Sequence, residues 1–299
     1  MNEETKVRTE MKQALKAKLI VIAKWVGPHL PTPISRRWFC DQLIPYLMDP
    51  AVLPCGLVER PTKRFGVNIL CDPYLYVHRD GYWCGVFFEE EVEAYIAREL
   101  RPGDTVIDVG MNVGHVTIPA AAVVGPTGKV IAFEPNLDLV RQVGTLAQRQ
   151  NLAQVRIMPF GLGAVDGMFE LRMEPAHDGG ATFRPAFESN AFSVAMKCEV
   201  KVGDAVLRDE PFTGRVFMKM DVEGFEIQAL EGLSETLSRV DHAIIEVSPE
   251  WLHADGVAQL FGIMSNKGLR AFTMGTSGEV GASISPEGIT GQVNIVFRR

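Results

Sequence analysis

Apolar residues recur at three- and four-residue steps near the start of the chain, at Met11, Leu15, Leu19, Ile22 and Val26. That spacing lines one face of an α-helix. Lys12, Lys16 and Lys18 precede the short apolar run that opens at Leu19, and Lys24 interrupts it. No small-residue cleavage site follows, so the stretch reads as an amphipathic helix rather than a secretory signal. Two destinations for its apolar face stay open. It packs on the protein's own body or on a second copy in a homo-oligomer, or it docks on a membrane surface or a carrier partner. Basic residues on the polar face suit the second.

Residues 27–70 carry Pro28, Pro31, Pro33, Pro45, Pro50, Pro54 and Pro61, which cut the segment into short pieces. Residues 1–70 therefore read as a helical and irregular N-terminal cap, and 71–299 as the main domain. From about residue 90 a regular alternation begins. Residues 91–100 suit a helix and 105–109 a strand. A glycine-bearing turn at 110–114 leads into a helix at 116–124. A strand at 129–134, a helix at 137–151 and a strand at 155–160 follow. Such alternation predicts a parallel sheet covered by helices.

The rhythm breaks between 162 and 203. Residues 169–173 and 197–202 alternate like an antiparallel pair, which predicts an inserted β-hairpin. Its polar loop, 174–196, has a length common among active-site lids. Strands at 216–221, 242–247, 269–274 and 292–297 then alternate with helices at 225–238 and 250–266.

Composition narrows the function. The chain has 299 residues, 46% hydrophobic and 22% charged, enough for a full core and close to the globular average. Thirty Lys and Arg against 37 Asp and Glu give a net charge of −7, the wrong sign for a generic nucleic-acid binder. The apolar runs fall short of the roughly 18 residues that cross a bilayer. Cys40, Cys55, Cys71, Cys84 and Cys198 are odd in number and form no C-x-x-C pair. Neither a metal staple nor a disulfide framework is expected, and reduced thiols fit a cytoplasmic protein.

Three segments carry candidate chemistry. In VIDVGMNVG (106–114) a hydrophobic strand runs into glycines four apart, with Asp108 two residues before the first. A dinucleotide fold uses G-x-G-x-x-G, whose bare backbone N–H groups receive a pyrophosphate. Asp108 would repel a pyrophosphate and suits a cationic ligand such as S-adenosylmethionine. Glu134 ends the next strand, 20 residues after Gly114, where an acid can accept hydrogen bonds from ribose hydroxyls. In FMKMDVEGFE (217–226) a strand that is apolar except for Lys219 delivers Asp221 and Glu223 at the ligand edge of the sheet. Glu226 instead opens the next helix, where its charge suits the macrodipole.

Together, IDVGMNVGHVT, VIAFEPN and MKMDVEGFEIQALEG resemble the FkbM family of S-adenosylmethionine-dependent methyltransferases. The upstream GVFFEEEVEAYIARELRPGDTV and the closing VNIVF are similar too, so the resemblance covers about residues 72–299. It implies a class I methyltransferase fold, a Rossmann-like α/β sheet of seven strands with the last antiparallel, and O-methylation of a sugar, glycan or natural-product hydroxyl. Asp108, Gly110, Met111, Asn112 and Gly114 look like the cofactor loop, and Glu134, followed by Pro135, like the ribose acid. Lys219, Asp221 and Glu223 look like the active-site edge, and Glu89 like the acid that precedes the first helix of the domain. The family usually has Ala where this chain has Met111, a side chain large enough to crowd the loop.

Methyl transfer is an in-line displacement from a good leaving group, so positioning supplies most of the acceleration. Asp221 is the favoured base or acceptor-orienting acid, with Glu223 beside it. His115 is a rival base or a packed residue, and His177 lies in the loop. Two such acids could instead hold a divalent cation, a use that is not favoured. Phe183, Phe187 and Phe192 offer acceptor platforms or close the loop on its own core. A NAD-dependent oxidoreductase and a non-catalytic cofactor-binding scaffold are the competing readings. A nucleic-acid methyltransferase is disfavoured, because Asp221-Val222-Glu223-Gly224 stands where such enzymes carry Asn- or Asp-Pro-Pro-aromatic.

Overall fold

A computed structural model describes residues 3–174, 177–183 and 194–299. The chain divides into two compact units, Met1–Glu90 and Glu91–Arg299. The domain boundary read from the sequence, after residue 70, lies twenty residues earlier, whereas the alternation expected from about residue 90 begins at this division.

The first unit opens with α1 (Glu3–Val26), followed by α2 (Pro33–Trp38). Thr32 caps α2 reciprocally: its hydroxyl accepts the Ser35 N–H, and the Ser35 side chain accepts the Thr32 N–H. Strands β1 (Val58–Pro61) and β2 (Asn68–Cys71) form an antiparallel hairpin. Helix α3 (Arg79–Cys84) ends at Gly85, whose φ of 69° is the left-handed turn glycine permits. Phe39, Ile44, Ile69, Tyr82 and Trp83 fill this unit's core. Buried Arg36 forms an ion pair with Glu90. The Cys40 and Cys84 sulfurs lie 3.8 Å apart as free thiols, well beyond bonding distance.

The second unit follows the predicted alternation. After α4 (Glu90–Glu99) come β3 (Thr105–Val109), α5 (Thr117–Val124), β4 (Lys129–Phe133), α6 (Leu137–Arg149) and β5 (Val155–Met158). The inserted region holds β6 (Gly161–Gly163), β7 (Gly167–Glu174), β8 (His177–Thr182) and β9 (Val194–Val202), and then α7 (Gly203–Leu207). The main sheet resumes with β10 (Val216–Met220), α8 (Glu226–Gly232), β11 (His242–Val247), α9 (Pro249–Asn266), β12 (Arg270–Met274), β13 (Val280–Ser283) and β14 (Val293–Arg298).

The main sheet has eight strands in the order β13-β12-β14-β11-β10-β3-β4-β5. Strands β5, β4, β3, β10 and β11 are parallel, and β14 runs antiparallel to β11 as expected. The eighth strand is a correction to the expected seven: β13 folds back antiparallel on β12 at the edge. Residues Thr105–Val109 are buried throughout, as a central parallel strand with both faces covered must be. Ile107, Phe133, Met218, Leu230, Leu260 and Ile295 belong to one continuous core.

The chain leaves β3 toward β4 and β5, then returns to place β10 on β3's other side. This reversal makes the carboxyl ends of β3 and β10 the crevice where open α/β sheets bind ligands.

The insertion is larger than a hairpin. Strands β7 and β9 pair antiparallel, with Phe169 opposite Cys198. Residues 177–182, expected in the loop, instead form β8 against β7, and β6 joins β9 to complete a four-stranded sheet. Most of the predicted loop, with Phe187 and Phe192, lies outside the described residues, as does the side chain of His177.

Candidate active site

Register aligns the site. Val109, Phe133, Met220 and Ile245 form one row across four parallel strands. One residue further on stand Gly110, Glu134, Asp221 and Glu246. Residues separated by more than a hundred positions therefore emerge side by side at one edge of the sheet.

The β3–β4 side is held by backbone. The N–H groups of Gly110 and Met111 both donate to the Phe133 carbonyl, at 3.1 and 3.0 Å. Gly110 has φ 88°, and a Cβ there would lie 1.9 Å from the Asp221 carbonyl oxygen, so only glycine fits. Asn112 takes φ 50°, a left-handed conformation that Asn tolerates better than most residues. Gly114 is pressed against Val143 of α6. Met111 is buried at 3% exposure.

The two carboxylates on this side are buried and bonded. The Thr117 hydroxyl donates to Asp108 Oδ2 at 2.5 Å. Burial pushes the Asp108 carboxyl up to about 6, with the Thr117 hydroxyl and then the Lys219 charge pulling it back. The Asn112 and Asn136 N–H groups donate to Glu134 Oε2 and Oε1, each at 2.8 Å. Burial pushes Glu134 up to about 7 against those two bonds. Pro135 is half-buried beside it, and Leu137 at the start of α6 is exposed.

The β10–β11 side is more open. Lys219 is buried and donates from Nζ to Asp221 Oδ2 at 3.4 Å, while Asp221 keeps 31% of its side chain exposed. Carboxylate oxygens of Asp221, Glu223 and Glu246 lie within 4.8 Å of one another. Negative charges this close repel, and the Lys219 ammonium offsets part of that repulsion. Oxygen donors in such a group also match what hard cations accept.

Glu223 has φ 48° and Gly224 φ 90°, a sharp turn fixed from outside. The Thr182 hydroxyl donates to the Glu223 carbonyl at 2.6 Å. Phe225 packs on Phe169 and Phe183, with ring centroids 5.9 and 5.3 Å away. Phe183 thus closes on the insertion's own core. Glu226 opens α8 as predicted, but it is buried rather than solvated. Its Oε1 accepts the Gly224 N–H at 3.0 Å, and its Oε2 has no hydrogen-bond partner among the described residues.

His115 is half-buried in the turn before α5. Glu89 directly precedes α4. Sequence reasoning missed Glu246 and Thr182. Glu246 had a visible signal, as the one charge in the apolar run 243–247; Thr182 had none.

The doubly wound sheet, the glycine bend, the buried acid on the second strand and the acids after β10 are the parts that the sequence resemblance implied. Residues 108–271 match the Methyltransferase FkbM domain, and the chain belongs to that family. The hexuronic acid methyltransferase AglP of Haloferax volcanii is 26% identical over 161 residues, which cover 53% of this chain and 62% of that protein. A methyltransferase FkbM of Methylobacillus flagellatus superposes with TM-score 0.45 at 15% identity, covering 67% of this chain and 44% of the other. A SAM-dependent O-methyltransferase of Thermotoga maritima gives TM-score 0.38 at 11% identity, covering 71% and 66%. Among the described residues, no helix is long and apolar enough to cross a membrane.

Proposed function

We propose that this methyltransferase moves the methyl group of S-adenosylmethionine to a hydroxyl of a sugar or glycan. The carrying observation is the single row of Gly110, Glu134 and Asp221 at the switch point of the sheet. It sets a backbone bend, a buried carboxylate and a half-exposed carboxylate within reach of one ligand.

The donor set fits that cofactor. Each Glu134 oxygen accepts one backbone N–H and retains a lone pair, which suits two neighbouring ribose hydroxyls. The 110–114 bend would carry the remainder, and exposed Leu137 offers an apolar surface for the base. When bound, the cofactor supplies an activated methyl group on a positively charged sulfur. Asp221 orients the acceptor hydroxyl and receives its proton, and Lys219 holds Asp221 in place. Glu223 and Glu246 extend the acidic face toward polyol acceptors. A sugar acceptor is supported by AglP, whose substrate is a hexuronic acid, over the matched part of both chains.

The test is incubation of the full chain with S-adenosylmethionine and glucuronic or galacturonic acid glycosides, followed by mass spectrometry. A gain of one methylene that survives mild base, as an ether does and an ester does not, supports O-methylation of a ring hydroxyl. A base-labile product would reassign the reaction to the carboxylate. Calorimetry showing no uptake of the cofactor or its demethylated product would overturn the reading.

A further inference from the structure

Of the destinations that the sequence left open for the apolar face of α1, packing on the chain's own body is not the one most of that face takes. Ile20 and Ala23 are buried against the first unit, and Lys16 and Lys24 turn the same way. Lys16 pairs with Asp49 at 3.0 Å, and the Lys24 ammonium sits 4.9 Å over the Tyr82 ring. Most of the predicted apolar face lies elsewhere: Met11, Leu15, Leu19 and Ile22 are 69, 59, 41 and 55% exposed, while Val26, its last member, is half-buried. Val21 and Trp25 extend it and are as open. At 100° per residue these six side chains share one broad face, opposite the packed one. Residues 19–26 are apolar all round except for Lys24, and a helix of that kind is normally covered on every side. Here one side is covered by the chain itself and, among the described residues, the other is left exposed.

We infer that this face of α1 lies on the surface of an anionic lipid bilayer. Charge selects the occupant. The helix carries six basic residues against three acidic ones, in a chain whose net charge is −7. Lys12 and Lys18 are exposed, Lys18 amid the apolar face and Lys12 at its border. Their stems can lie along the apolar surface while the ammonium groups reach lipid phosphates. Trp25 on the same face is the residue type that settles at a bilayer's polar boundary. An interfacial helix combines just these parts: a broad apolar face, basic residues and an aromatic anchor, without the length of apolar chain needed to span. A second copy suits the face less well, because it would bring two rows of lysines together.

The test uses the full chain and sedimentation with vesicles of phosphatidylcholine, with and without phosphatidylglycerol. Binding should require the anionic lipid and weaken with salt. Replacing both Lys12 and Lys18 by Gln should lower the partition coefficient about thirtyfold, at roughly one kcal/mol per basic residue. Leu15→Asp and Ile22→Asp should each abolish binding while the thermal midpoint and cofactor binding stay unchanged. Those controls separate a lost surface from a lost fold. Absence of binding to anionic vesicles overturns the inference, as does equal binding to neutral ones. A concentration-dependent dimer broken by Leu15→Asp, without vesicle binding, would reassign the face to a subunit interface.

Discussion

The two halves of the ligand edge handle their carboxylates in opposite ways. On the β3–β4 side, Asp108 and Glu134 are buried and each is hydrogen-bonded to the loop or helix it supports. On the β10–β11 side, Asp221, Glu223 and Glu246 are half-exposed and crowd together beside one buried lysine. A buried acid bonded to backbone N–H groups fixes a shape, and a half-exposed acid among like charges is available to bind or move a proton. The difference separates holding from reacting within one row of residues.

The largest expected effect tests the reacting half. Asp221→Asn should lower turnover by about two to four orders of magnitude, the usual worth of a positioned base, with cofactor affinity nearly unchanged. Equal losses in turnover and affinity would erase the distinction between the halves.

Gly110→Ala should strike the holding half through backbone alone. The new Cβ meets the Asp221 carbonyl, and φ 88° disfavours any L side chain. A loss on the order of 3 kcal/mol in stability or cofactor binding is expected, read by thermal melting and calorimetry. Glu134→Gln should weaken cofactor affinity by about ten- to a hundredfold, the worth of one charge-assisted hydrogen bond, and leave turnover at saturation little changed.

The smallest effect concerns stability. Burial pushes Glu226 from 4.5 up to about 7, so the folded state holds a proton that the unfolded state releases. Its contribution is complete below pH 4.5 and is lost as pH rises through about 7. Glu226→Gln removes the charge in every state. It should raise the melting midpoint by a few degrees at pH 8, with much less gain at pH 5. A gain at pH 5 as large as that at pH 8 would show that burial of the charge is not the cause.

Much of this site was legible in the sequence because each key residue follows directly on an apolar run. Thr105–Val109 and Val216–Met220 had to be buried strands, so Gly110 and Asp221 had to stand at their ends. Glu246 escaped because a lone acid near the end of a strand acquires meaning only when register sets it beside Asp221. The extra strands β8 and β13 escaped for a related reason. His177–Thr182 and Val280–Ser283 carry little apolar alternation and gain their order from the strands they join.

By itself, the sequence determined the alternation of strands and helices, the glycine bend and the acids that bracket it. These depend on local periodicity and on backbone conformations open to few residues. Tertiary structure alone decided which carboxylates are buried, that Met111 is buried and that Thr182 fastens the Glu223 turn. It also decided that α1 packs through Ile20 and Ala23 and leaves its larger apolar face open. Burial and side-chain partnership come from contacts between distant segments, and no local pattern specifies which of two apolar faces the rest of the chain will cover.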